Sequence, residues 1–326
     1  MSNHPYDRLG PDTVIDAVEA AGYLSDARLL ALNSYENRVY QVGIEDGEPL
    51  IAKFYRPGRW TDAQILEEHA FAAELAEAEI PVIAPLASAD GRTLFEHAGF
   101  RVALFPRRGG YPPELDDPDA LLVLGRTLGR IHRVGAARPF EHRPAMDPKE
   151  MLDDNRAFLL EHFIPRDLRP AYESLTADLA DRVAPLWAEI TPADGQRLHG
   201  DCHGGNILWR DNNAHFVDLD DCMTGPAVQD LWMFLSGERL QREAFLSELI
   251  AGYEEFMDFD PRQLRWIETL RTLRLIRYAA WLARRWDDPA FPHSFPWFNT
   301  DRYWADHVLE LREQLAAMDE EPLRLL

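Results

Sequence analysis

Period-two alternation of apolar residues is confined to the first third of the chain and stops at Pro106. Within it, Tyr40, Val42 and Ile44 share one face, turn residues follow from Glu45 to Glu48, and Leu50, Ala52 and Phe54 alternate again. That spacing predicts a β-hairpin with Ile51 and Lys53 on the face opposite Leu50 and Ala52. "TDAQILEEHAFAAELAEAEIP" opens with Thr61 and Gln64 at capping-box spacing and ends before Pro81, which predicts a helix of about four turns. "RTLFEHAGFRVALFP" predicts a second hairpin around Ala98 and Gly99.

After Pro106 the pattern changes. "PRRGGYPPE" breaks every periodicity with proline and glycine, as a linker does. Helical spacing or good helix formers then run over Asp119 to Val134, Pro148 to Phe163, Arg169 to Glu189, Asp230 to Phe256, Pro261 to Trp286 and Asp301 to Met318. Pro185 is expected to kink or split the third of these. The exception is Arg197 to Asp221, where short apolar strands flank a polar loop. The expected architecture is α+β and bilobal: a small antiparallel-sheet lobe with one main helix over residues 1–105, a larger helical lobe over 106–326, and a cleft between them.

A chain of 326 residues with 46% hydrophobic content can bury one large core or two modest lobes. The net charge of -22, with no run of Lys and Arg, argues against nucleic acid as a partner. Two cysteines, Cys202 and Cys222, are too few for a disulfide framework and fit a reduced compartment. The start, "MSNHPYDRLGPDT", has neither a basic nor an apolar signal region, and no stretch approaches the roughly 18 apolar residues of a membrane span. The expectation is a cytoplasmic monomer with no membrane contact.

The polar loop, "RLHGDCHGGNILW", packs His199, Asp201, Cys202, His203 and Asn206 together, and three chemistries compete for it. A closed zinc site draws its ligands from two separated pairs, and no second pair is visible. A two-metal phosphoesterase needs further Asp, Asn and His ligands downstream, and neither G-D-x-x-D nor G-N-H occurs there. A phosphotransferase loop requires an Asp five positions before an Asn, as Asp201 and Asn206 are. The Asp orients and deprotonates the attacking hydroxyl, and the Asn holds Mg²⁺. The strand "AHFVDLDD" then delivers Asp218, a second hard oxygen ligand for the metal that bridges ATP phosphates.

The first lobe offers an independent check. A kinase-type site needs a strand lysine held by a helix glutamate. Lys53 is such a lysine. Glu67 and Glu68 compete to be its partner, and Glu68 shares a helix side with Ile65, Phe71, Ala72 and Leu75, where a carboxylate requires a cation.

On "LNSYENRVYQV", "KFYRPGRWTDAQILEEH", "LHGDCHGGNILW", "FVDLDDCMTGPAVQDLW" and "WLARRWDDPAFPHSFPW", the chain resembles the protein-kinase-like superfamily in its aminoglycoside-phosphotransferase and choline-kinase branch. Within that branch it is similar to the bacterial stress response kinase A family of serine/threonine protein kinases. The resemblance implies ATP and Mg²⁺ as cofactors, with Asp201 as catalytic base and Asn206 and Asp218 as metal ligands. Lys53 would pair with phosphate, Glu68 would hold Lys53, and Ser34 would sit in the nucleotide-binding turn. It also implies that Asp230 hydrogen-bonds the catalytic-loop backbone and that His199 is structural; the local reading of Asp230 is a helix N-cap.

Three features depart from eukaryotic-type protein kinases. "LNSYENRVY" lacks G-x-G-x-x-G, Gly200 stands where many kinases carry an arginine that reads an activation-loop phosphate, and only eleven residues separate Asp218 from Asp230, with no A-P-E motif. The acceptor is therefore open between a protein Ser/Thr hydroxyl and a small-molecule alcohol of aminoglycoside, choline or homoserine type. A nucleotide-binding regulator without catalysis is the reading from another class. Arg271, Arg274 and Arg277, with Arg284 and Arg285, are expected to be surface ion-pair partners, and "WDDPAFPHSFPWF" is expected to cap the helical core.

Overall fold

The computed structural model describes residues 4–326. Its first sheet has the strand order β1-β2-β3-β5-β4, from β1 (Ser25–Ala31), β2 (Arg38–Ile44), β3 (Leu50–Phe54), β4 (Phe95–His97) and β5 (Phe100–Pro106), all antiparallel. The β2–β3 register places Val42 opposite Leu50 and Val39 opposite Lys53. Val42, Leu50, Ala52 and Phe54 are buried under helix α1 (Pro11–Ala20), which contributes Val14, Ala17 and Val18. The other face, with Ile51 and Lys53, is left toward the cleft. Helix α1 was not visible in the periodicity.

Helix α2 (Asp62–Glu77) begins with the capping box that Thr61 and Gln64 form, an arrangement contributing about 1 kcal/mol. It ties two cores together. Its Ile65 packs with Tyr55 and Ala103 on the sheet, while Phe71, Ala72 and Leu75 join the large core of the helical part.

The connection after β5 lies along the second part: Tyr111 and Trp209 exchange backbone hydrogen bonds of 3.2 and 2.7 Å. Helices α3 (Pro118–Gly135), α4 (Asn155–His162), α5 (Arg169–Trp187), α6 (Arg239–Glu254), α7 (Ile267–Arg284), α8 (Ala290–Ser294) and α9 (Asp301–Met318) build this part. Helix α5 runs through Pro185 unbroken, because the proline lies in its last turn. The helix expected from Asp230 starts only at Arg239; Gly237, at φ +85°, and 3₁₀ turns over 227–234 precede it. Between α5 and α6, β6 (Gly195–Leu198) pairs with β9 (Met223–Pro226), and β7 (Ile207–Arg210) pairs with β8 (Asn213–Phe216). Among the described residues no helix is long and apolar enough to cross a membrane.

The segment expected to cap the helical core does so. Trp286, Phe298 and Trp304 form edge contacts, with centroids 4.9 and 5.4 Å from Phe298. It also reaches the cleft, where Phe295 packs 4.6 Å from Tyr35.

Candidate active site

The polar loop runs from the end of β6 to the start of β7, with every turn of its backbone anchored. Asp230, fully buried, accepts hydrogen bonds from the His199 and Gly200 amides at 2.7 and 2.9 Å and lies 3.1 Å from His132 Nε2 on α3. It caps no helix. Gly200 is required where it stands: at φ +86° a Cβ would lie 2.1 Å from the carbonyl oxygen of Asp221, so an arginine cannot occupy this position. His199 donates from Nε2 to the Val217 carbonyl at 2.9 Å, Cys202 is buried in the core, and His203 Nδ1 accepts from Gly205 N–H at 3.0 Å. These three side chains diverge. Among the described residues, no three His, Cys, Asp or Glu side chains form a group able to hold a metal.

Two cavities flank the loop. One, of about 350 Å³, lies between the sheet and β7–β8; Val39, Ile51, Ala72, Phe105 and Leu208 give it apolar walls, and Lys53 and Glu68 close one end. The other, of about 630 Å³, holds Asp201, His203, Arg274, Arg277, Tyr278 and Trp281. They share Asn33, Ser34, Gly205, Asn206 and Asp218. A molecule in the first cavity can therefore present a group to a molecule in the second at Asn206 and Asp218.

Lys53 is buried with its ammonium 3.0 Å from Asp218, 3.1 Å from Asp220 and 3.6 Å from Glu68. Burial alone would depress the lysine, but three carboxylates outweigh it and hold the pKa well above the ordinary value. Burial pushes Glu68 up to about 7 despite the opposing pull of Lys53. Glu67 faces elsewhere, accepting the amides of Glu141, His142 and Arg143 at 2.6, 2.8 and 2.6 Å. The geometry thus brings Lys53 to Glu68 and leaves Glu67 a structural anchor between α2 and the segment after α3.

Asp220 and Asp221 were not singled out from sequence. Burial would raise Asp220, but Lys53 and Arg59 hold it well below the usual carboxylate range; Arg59 contacts Asp220 at 2.5 Å and Asp221 at 2.8 Å. Arg143 donates to the Cys222 and Asp220 carbonyls at 2.9 and 2.5 Å. The repeated acids in "DLDD" were the available signal; their basic partners lie at least 56 residues away.

Asp218 adopts a left-handed backbone, φ 60° and ψ 64°, which costs a non-glycine residue about 1–3 kcal/mol and concentrates at functional sites. Its Oδ1 is held by Lys53 while half of its side chain remains exposed to the cavities. Asn206 donates from Nδ2 to the Asp201 carbonyl at 2.9 Å, which turns its Oδ1 away as an acceptor. Two hard oxygens facing the same space fit Mg²⁺, which takes few ligands from protein and the rest from phosphate and water. Ser34 lines both cavities but spends its hydroxyl on the Asn37 carbonyl at 3.2 Å, closing the turn.

Arg274 and Arg277 correct the expectation of surface ion pairs. They project from α7 into the larger cleft, Arg274 to Asp201 Oδ1 at 2.5 Å and Arg277 to Asp221 at 3.1 Å. Burial raises Asp201, yet His203 and Arg274 together hold it well below the usual carboxylate range. Arg285 reaches the other end of the cleft, pairing with Glu36, which also accepts from Trp281 Nε1 at 2.6 Å.

The sequence model of the phosphotransferase enzyme family matches residues 28–267. Stress response kinase A of Escherichia coli is 46% identical over 321 residues, 98% of this chain and 97% of its own. A Salmonella typhimurium protein named serine/threonine protein kinase RdoA matches with the same identity and coverage. A solved amicoumacin kinase, in complex with AMP-PNP, Ca²⁺ and Ami, superposes with a TM-score of 0.73 at 20% identity over 98% of this chain and 95% of that one.

Proposed function

Because the chain belongs to the phosphotransferase enzyme family, we propose that it transfers the γ-phosphoryl group of ATP, with Mg²⁺, to serine and threonine hydroxyls of proteins as part of a bacterial stress response. The observation that carries this reading is the meeting of the two cavities at Asn206 and Asp218, with Asp201 on the acceptor side and Lys53 on the other. An apolar slot for a base, a buried cation for phosphate and an ionised carboxylate for a hydroxyl then lie in the order that phosphoryl transfer needs.

In this reading residues 1–105 bind the nucleotide, and residues 106–326 supply the catalytic loop, the metal ligands and the acceptor region. Lys53, held by Glu68 and Asp220, pairs with phosphate oxygens, and the turn containing Ser34 covers them with backbone N–H groups. Asn206 and Asp218 would hold Mg²⁺, which when bound neutralises charge on the phosphates. Asp201 accepts a hydrogen bond from the acceptor hydroxyl, aims its oxygen at phosphorus and receives its proton. Neutralisation and positioning carry the reaction, without a covalent enzyme intermediate.

The names of the full-length relatives favour a protein acceptor. A small-molecule alcohol is the second reading: β9 follows Asp218 within five residues, leaving no room at that point for the peptide-docking segment of eukaryotic-type kinases, and the amicoumacin kinase resembles the chain over its whole length. Incubating the protein with γ-labelled ATP and a cell extract separates the two. Label in macromolecules, including the protein itself, supports the first; label only in metabolites supports the second and overturns the first.

A further inference from the structure

The acceptor cleft does not end at Asp201. A second open cavity, of about 550 Å³, shares Arg274 and Tyr278 with it and continues between α7 and α9 as far as Ala317. Small-molecule pockets occupy about 300–1,000 Å³ and are enclosed. Joined, these two cavities make a longer trough, of a shape suited to an extended chain.

The trough has a charge pattern. Arg277, Arg274 and Arg271 recur every three residues along α7, a step of about 4.5 Å at 1.5 Å per residue. Arg274 sits on Asp201 Oδ1, while His203 Nε2 and Asn206 Nδ2 each lie 3.4 Å from Oδ2. Oδ1 has a second lone pair, so an incoming hydroxyl can bond there beside the guanidinium. Arg274 spends one bond on Asp201, and the nearby Asp221 is already held by Arg59 and Arg277, so the remaining Arg274 donors can take an anion of the incoming molecule.

Arg271 lines the trough with its side chain partly exposed. It lies 5.2 Å over the Trp232 ring, and its Nε and Nη2 are buried without hydrogen-bond partners, with Glu268 3.1 Å from Nε as the nearest counter-charge. On the opposite wall α9 carries Glu310 and Glu313, both exposed, with Glu310 leaning 3.6 Å from His307. Glu268 is shared among Arg242, Arg271 and Gln314. The unspent positive charge is on α7 and the unspent negative charge on α9.

We propose that the trough binds an extended peptide segment bearing an acidic side chain close to its phosphoacceptor residue, with Arg274 and Arg271 reading that acid from α7. This names the substrate class of the protein-acceptor reading above and rests on it. At about 3.3 Å per residue of extended chain, the 4.5 Å step from Arg274 to Arg271 places the acid one or two residues from the hydroxyl. A basic side chain on the other face of the segment meets α9.

Fluorescence anisotropy of labelled peptides with the full chain, Mg²⁺ and a non-hydrolysable ATP analogue tests this. Three peptides carry one serine flanked within two residues by Glu, Ala or Lys. The Glu peptide should bind at least ten-fold tighter than the Lys peptide, and Arg271→Ala should erase most of that preference. Glu313→Lys, an exposed change that leaves Arg271 in place, should tighten the Glu peptide several-fold. Equal affinity for all three peptides, or a Glu preference untouched by both variants, overturns the proposal. Label transfer is read separately: acidic-peptide binding without transfer keeps the trough and sinks the protein-kinase reading, whereas transfer to proteins with no charge preference does the reverse.

Discussion

Replacing Lys53 by Met should make stability depend on pH in a way that identifies Glu68 as its obligate partner. The cost falls unevenly on the three carboxylates. Asp218 is half exposed and is resolvated, and Asp220 keeps Arg59 at 2.5 Å. Glu68 is 3% exposed, Lys53 is its only cation within 4 Å among the described residues, and its Oε2 has no hydrogen-bond partner. Stripping one partner from a buried pair costs about 3–5 kcal/mol if the survivor stays charged. Glu68 escapes by taking a proton, since burial already raises its pKa to about 7 in the presence of the lysine.

The sign follows from proton counting. In the variant the folded state binds a proton at Glu68 that the unfolded chain, near the ordinary glutamate value, has released. Stability then falls as pH rises above about 5, by about 1.4 kcal/mol per unit, until Glu68 ionises in the folded state. Because wild-type Glu68 also keeps its proton up to about pH 7, urea denaturation of wild type and Lys53→Met at pH 5, 6, 7 and 8 should give a difference that changes little from pH 5 to 7 and has grown by about 1.4 kcal/mol at pH 8. Lys53→Met with Glu68→Gln should recover that loss at pH 8 without restoring phosphotransfer. A pH-independent difference, or a double variant no more stable than the single one, would refute the assignment of the cost to Glu68.

Three further outcomes are expected. Glu67→Gln should lower stability by about 1.5–3 kcal/mol, as loss of charge-assisted bonds to three amides requires, yet leave turnover per folded molecule unchanged; a loss of turnover would mean that the two neighbouring glutamates share one role. Gly200→Ala should destabilise the chain by about 2 kcal/mol or more in a denaturation curve, because the new Cβ collides with the Asp221 carbonyl at a positive φ. Arg274→Ala should move the acid limb of the pH–rate profile upward, since the Asp201 carboxylate then loses a cation that keeps it ionised far into acid; an unmoved limb would assign that effect to His203 alone.

Local chemistry explains what was legible in the chain. The hairpin of Val42 and Leu50, the Thr61 capping box, and the pairing of Lys53 with Glu68 rather than Glu67 all rest on periodicity over a few residues, which a sequence displays directly. So does the separation of Asp201 and Asn206 across one loop, whose ends β6 and β7 hold. Contacts between distant segments were not legible. Arg274 reaches Asp201 over 73 residues and Arg59 reaches Asp220 over 161, and neither distance leaves a local pattern. The start of α6 was misplaced for a related reason: Leu231, Trp232 and Phe234 are apolar because the core buries them, and in short 3₁₀ turns that burial mimics the spacing of a helix.

Asp201→Asn, assayed with γ-labelled ATP and Mg²⁺, tests the central claim most directly. The substitution keeps the shape of the side chain and leaves both cavities in place, so nucleotide affinity should change by less than about three-fold while transfer to any acceptor falls by at least about a hundred-fold. A variant that still transfers phosphate at the wild-type rate would contradict the account.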